Sequence, residues 1–252
     1  MPDEIGPMRH DRTMSDTTHG SPVHDALVER LGAAIVQGEH PAGTRLLTAD
    51  LAESSGASRS AAREAVRVLE SLGLVQVRRK AGIEVLPVEH WNVYAPEVIT
   101  WRLDGPDRDR QLHELGELRS AVEPLAARLA AANATDAQRE ALVAAALAMA
   151  RNEQRADDAD YLAADVRFHR TLLRASGNPM LGMLGDVVQS VLEGRTRLAL
   201  MPQAANPQAV RWHRDVAFAV AGGDAEAAFE AMSRIVGESD AAIGEAAEAD
   251  RA

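Results

Sequence analysis

The sequence predicts a mainly α protein, with an N-terminal winged helix-turn-helix followed by an all-α helical bundle. Three observations predict it. Between Pro41 and Val85, two short amphipathic helices joined by a glycine turn precede two strands around a basic tip. From Asp107 onward almost every segment carries helical periodicity. Aromatic residues are only 3% of the chain, so the core must be Ala, Leu and Val, which favours close helix packing over sheets.

Residues 1–21 are polar and aperiodic, with Pro2, Pro7 and Gly20, and are expected to be a disordered leader. Residues 22–88 form the first folded unit. Its first helix runs from Val23 to Gln37 with Val23, Leu27, Leu31, Ala34 and Ile35 inward, and Gly38 ends it. Thr48 to Ser54 and Ser58 to Leu72 are the paired helices, with Ser55-Gly56-Ala57 as their turn, and the strands flank Arg79-Lys80-Ala81-Gly82. Residues 89–106 are a linker and a short helix, Pro96 to Arg102, closed by Asp104-Gly105-Pro106. Residues 107–248 are the bundle, with helices near 108–132, 136–154, 157–175, 179–199, 207–221 and 224–247. They are separated by Asn133-Ala134-Thr135, Gly177-Asn178-Pro179, Met201-Pro202, Asn206-Pro207 and Gly222-Gly223-Asp224.

On the 58–72 helix, Ala62, Ala65, Val66, Leu69 and Leu72 recur at the spacing of a buried stripe, while Arg59, Arg63 and Arg67 step along a neighbouring face. That second face suits DNA. Guanidinium forks match phosphate oxygens and the O6/N7 edge of guanine, and the amides at a helix start favour anions. Ser58, Arg59, Ser60 and Arg63 occupy that start, and Arg79, Lys80 and Gly82 form the hairpin tip. From Ser58 to Lys80 there are six Arg/Lys (59, 63, 67, 78, 79, 80) against Glu64 and Glu70, in a chain whose net charge is -11. The positive charge is therefore concentrated where a groove would be read. The acidity elsewhere suppresses binding to unrelated DNA without opposing a local patch.

There is no cysteine, which excludes disulfides and thiolate metal sites, and no apolar run approaches a membrane span. A cytoplasmic protein is expected.

The bundle carries polar residues on faces that should be apolar. Asp165 and His169, four apart, point the same way, flanked by Tyr161, Leu162, Phe168, Leu172 and Leu173. His213 shares its face with Val210, Val216, Ala217 and Val220. A buried carboxylate and two imidazoles are costly alone, and one divalent ion satisfies all three. Without thiolates, zinc comes first, with nickel or manganese also permitted. Arg119 lies among Leu112, Leu115, Val122 and Ala126, with Glu123 four residues on and Pro124 expected to kink or interrupt the helix. Two readings stay open for it. It is an internal bridge to Glu123, or a clamp for a small carboxylate that also reaches the metal. A metallohydrolase built on the trio would need a further acid or base beside the metal, and none is placed for it. A purely structural metal is the other alternative.

The chain resembles the GntR family of bacterial transcription regulators, in the FadR-type branch whose C-terminal half is an FCD-type antiparallel helical bundle. In the DNA-binding half the resemblance rests on Pro41-Ala42-Gly43, Leu46, Leu51-Ala52, Ser58-Arg59, Arg63-Glu64-Ala65, Leu69, Leu72-Gly73-Leu74-Val75 and Gly82. In the bundle it rests on Arg119 with Glu123, Asp165 with Phe168-His169, Asn178, and His213 ahead of Gly223-Asp224. It implies operator contacts by Arg59 and Arg63, a hairpin tip in the minor groove and a metal on Asp165, His169 and His213. Trp91-Asn92, Val98, Trp101 and Leu118-Arg119 with Val122-Glu123-Pro124 are similar to galactonate- and sugar-acid-responsive members. That likeness makes Arg119, with Glu123 beside it, a candidate for effector binding, and Arg197 is a candidate because it falls near a tryptophan that helps bind galactonate in those members, a departure in residue type. Two further departures have consequences. Ile235 replaces a metal-binding histidine of many relatives, leaving three protein ligands. Leu47, Ala49 and Asp50 offer no basic residue at the start of the 48–54 helix, removing one phosphate contact. The expectation is a homodimeric repressor, not an enzyme, bound to double-stranded palindromic operator DNA and released by a small carboxylate.

Overall fold

In a computed structural model, residues 22–79 and 82–249 are described. The expected leader falls on residues outside them. Helix α1 (Pro22–Val36) buries Leu27, Leu31 and Ile35, while Ala34 is half-buried and Val23, in the first turn, is 44% exposed. The inward stripe is therefore narrower than the sequence pattern predicts.

A two-residue strand, β1 (Arg45–Leu46), precedes α2 (Thr48–Ser55) and α3 (Arg59–Ser71). Gly56 caps α2 with φ +66, a left-handed geometry that glycine adopts without steric cost. Ser58 caps α3 by accepting a hydrogen bond from the Ala61 amide at 3.1 Å. Strands β2 (Val75–Arg78) and β3 (Gly82–Val85) pair antiparallel with Val75 opposite Val85 and Val77 opposite Ile83. β1 adds to the other edge of β3 through Arg45 opposite Glu84. The sequence predicts only β2 and β3 and misses the edge strand β1, because two residues carry no readable alternation. The supposed linker holds a 3-10 turn, Val88–His90.

Helix α4 (Pro96–Leu103) belongs to two cores at once. Val98 and Trp101 pack with α1, α3 and the sheet, whereas Ile99 and Leu103 pack with Leu112, Leu115, Val187 and Val191 of the bundle. The Trp101 indole donates to Glu29 at 2.7 Å and lies so close over Gly32 that an added Cβ would sit 2.3 Å from the ring.

The bundle comprises α5 (Arg108–Asn133), α6 (Asp136–Arg151), α7 (Ala159–Ala175), α8 (Pro179–Gly182), α9 (Gly185–Arg197), α10 (Pro207–Gly222) and α11 (Ala225–Ala249). Helix α5 runs through Pro124 without interruption, so of the two outcomes expected there the break does not occur. The proline gives up one backbone donor in a helix held on its buried side by α7, α10 and α11. A capping box, Thr135 with Gln138, starts α6, and Asn178 and Asn206 cap the helices that open on Pro179 and Pro207. The single helix predicted over 179–199 is broken at Met183 and Leu184, between Gly182 and Gly185, which are poor helix formers. The break redirects the chain and lets Leu181 pack beside Val188 and Leu192.

Candidate functional site

The recognition face is built as the periodicity requires. Ala62, Ala65, Val66, Leu69 and Leu72 are buried, and Ser58, Arg59, Ser60, Arg63 and Arg67 are exposed. Arg67 is held by Glu64 at 2.7 Å. Arg79 is exposed at the hairpin, and Lys80 lies outside the described residues. Gly82 answers a backbone constraint, since its φ is +85 and a Cβ there would meet the Leu46 carbonyl oxygen at 2.8 Å.

In the bundle, α7 carries Asp165 and His169 and α10 carries His213. All three side chains are buried, and one donor atom from each lies within 4.8 Å of the others. Asp165 Oδ1 is 3.2 Å from His169 Nε2 and 3.6 Å from His213 Nε2. His213 Nδ1 lies 2.7 Å from the Ala209 carbonyl oxygen, which only accepts, so Nδ1 carries the proton and a neutral ring turns the Nε2 lone pair inward. His169 Nδ1 lies 2.6 Å from Glu123 Oε2, which leaves its Nε2 facing Asp165. Asp165 Oδ1 and His213 Nε2 are buried with no hydrogen-bond partner. Without an ion, a proton on His169 Nε2 faces Asp165; once that proton leaves, two imidazole lone pairs and a carboxylate oxygen converge in a dry interior and favour a cation among them, and this donor set fits a borderline divalent ion. Glu123 behind His169 has the place that an outer carboxylate takes when it orients a metal-ligating imidazole.

Electrostatics keep the cluster charged. Burial works to raise the Glu123 carboxyl, but the Arg119 guanidinium and His169 override it and hold it down to about 2. Burial works to lower His169, and Glu123 and Asp165 outweigh it, raising the imidazole to about 9. Asp165 resists burial in the same manner and stays well below the usual carboxylate range.

A cavity of about 80 Å³ adjoins the trio, lined also by Arg119, Arg195, Ile235 and Ser239. Ile235, where the sequence offers no further histidine, is one of these lining residues. Arg119 donates from Nε to Glu123 Oε1 at 2.6 Å and from Nη2 to Oε2 at 3.5 Å, the internal bridge the sequence left open. Glu123 stands behind His169 and does not line the cavity. Arg197, a candidate for effector binding, is turned outward to pair with Asp104. Arg195, two residues earlier, is 8% exposed and points in. It is absent from the candidates that the sequence supplies, although Val188, Val191, Leu192 and Arg195 share one helical stripe.

Comparison with known proteins agrees with both halves. Residues 24–85 match the family of bacterial regulatory proteins called gntR, and residues 114–238 match the FCD domain. The galactonate operon transcriptional repressor of Escherichia coli K12 is 31% identical over 217 residues, 85% of this chain and 94% of that protein. The probable D-xylose utilization operon transcriptional repressor of Paenarthrobacter nicotinovorans is 28% identical, covering 89% and 88%. A solved structure of the Listeria monocytogenes regulator Lar, said to control expression of the agr system, covers 90% of this chain and 99% of that one. It shares the fold, with a TM-score of 0.57 at 17% identity. Among the described residues no helix is long and apolar enough to cross a membrane. The chain belongs to the GntR family of bacterial regulatory proteins, in the branch that joins a winged DNA-binding domain to an FCD domain, and is a transcription regulator, not an enzyme.

Proposed function

We propose that this regulator is a homodimeric repressor of carboxylate catabolism, holding one divalent ion on Asp165, His169 and His213 and leaving a two-fold symmetric operator when a small sugar acid enters the adjoining cavity. The observation that carries the reading is the convergence of three buried donor atoms, two of them unpartnered, beside a cavity that also holds two buried guanidiniums. The bound ion supplies attraction for a hydroxyl or carboxylate oxygen. Arg119 holds Glu123, Glu123 orients His169, and the guanidiniums favour an anion. The Escherichia coli relative's name points to a sugar acid. On a scale of ~10–15 Å³ per water, the cavity takes several water-sized groups. A hexonate is larger, so its entry displaces the walls, and a wall that moves is what a sensor needs.

Elemental analysis of purified protein should find about one divalent ion per chain, lost in His169→Ala. Operator titrations at fixed salt should then show release by galactonate or a related acid from the metal-loaded protein only. Full metal retention in His169→Ala removes the site. Release that is independent of metal leaves the ion a structural role and ends the sensing part of the reading.

A further inference from the structure

We infer that Arg195, not Arg119, is the anchor for the effector's carboxylate, and that the effector is a small hydroxy acid bound as its monoanion; this rests on the effector reading above. The two guanidiniums meet at one hydroxyl, Arg195 Nη1 donating to Ser239 Oγ at 2.7 Å and Arg119 Nη1 at 3.4 Å. They are otherwise unlike. Arg119 has committed Nε and Nη2 to Glu123, and its charge is matched there. Arg195 has no ion-pair partner among the described residues, and its Nε is buried without any hydrogen-bond partner. Its one partner is a neutral hydroxyl that it shares with a second cation.

A buried cation in that state is costly, and the neighbouring Arg119 charge adds to the cost. A carboxylate in the cavity offsets both, through charge-assisted hydrogen bonds to a planar fork already oriented by Ser239. Charge counting sets the class of anion. Arg119 is balanced by Glu123. A divalent ion on Asp165 leaves one positive charge, Arg195 adds another, and the part-buried Glu238 on the cavity wall subtracts one. Glu238 is held there by Asn206, which donates to it at 3.0 Å. One net positive charge calls for one negative charge, and the oxygen-seeking ion calls for hydroxyls on the same molecule.

The test is calorimetric titration of the full-length, zinc-loaded protein with lactate, glycerate, gluconate and galactonate, with galactose as the uncharged control. Wild type, Arg195→Gln and Arg195→Lys are compared, and zinc content is measured on each. At least one acid should bind wild type while galactose does not, and Arg195→Gln should weaken that acid about 10- to 100-fold with zinc retained. Equal affinity in wild type and Arg195→Gln overturns the assignment. So does loss of zinc from Arg195→Gln, which would make Arg195 a support of the metal centre. If Arg195→Gln does not fold, Arg195→Lys decides: it keeps the charge without the fork, so an acid affinity unaltered from wild type removes the guanidinium contact. If all four acids fail on zinc-loaded wild type, the effector reading itself falls and this inference with it.

Discussion

Arg119 is the residue whose loss should be felt most. Arg119→Ala leaves the Glu123 carboxylate, fully buried and held down to about 2, without its guanidinium, and breaking a buried pair in this way costs about 3–5 kcal/mol. Denaturant unfolding of metal-free protein measures it, and a loss below about 1 kcal/mol would show that water reaches Glu123. His169 gives a pH dependence whose sign follows from its raised value. In metal-free protein its protonated form is stabilised by Glu123 and Asp165, so that contribution is complete below the ordinary 6.5 and is lost as the pH rises toward about 9. A metal needs the neutral ring and competes better as protons thin out. The rise in melting temperature on adding zinc to chelated protein should therefore widen between pH 6.5 and 9, and a constant or shrinking rise would contradict the protonated His169 of the metal-free protein. The trio is legible in the sequence because Asp165 and His169 stand four apart within an apolar stripe. Arg195 is legible by the same test, applied to Val188, Val191 and Leu192, yet a single charged residue among them is easily passed over as solvent-facing. Arg197 becomes a candidate only through resemblance, and its partner Asp104 lies 93 residues away, a pairing that no local pattern reveals.

Among the elements, α3 is legible in the sequence to within one residue because its buried stripe, Ser58 cap and following glycine all agree. β1 and the break between α8 and α9 are not: a two-residue strand exists only through its partner β3, and Leu181 and Leu184 fit a continuous helix until tertiary packing turns the chain at the glycines. The exposed face of α3 yields a graded prediction. Arg59→Ala and Arg63→Ala should each cost about 1–3 kcal/mol of specific operator binding, measured at fixed salt. Arg67→Ala should cost less, because Glu64 already shares its charge. Equal losses at all three positions would mean that Glu64 releases Arg67 to the DNA.

At the scale of the whole molecule, residues 24–85 match one family model and residues 114–238 another. The segment between them is not a passive tether. Within α4, Trp101 and Val98 complete the first core while Ile99 and Leu103 complete the second, and Trp101 is clamped by Glu29 and the bare backbone of Gly32. Neither core is whole without α4, so neither unit is free to lose its structure on its own account. Calorimetry should show one endotherm for the two units, and zinc bound in the bundle should delay melting of the winged domain, where no metal sits. Trp101→Ala should split that endotherm into two, with only the later responding to zinc. Gly32→Ala, which forces a methyl against the indole, should lower the shared transition at a cost of about 1–3 kcal/mol. Stability in this chain is held in common, and whatever tightens one core lengthens the life of the other.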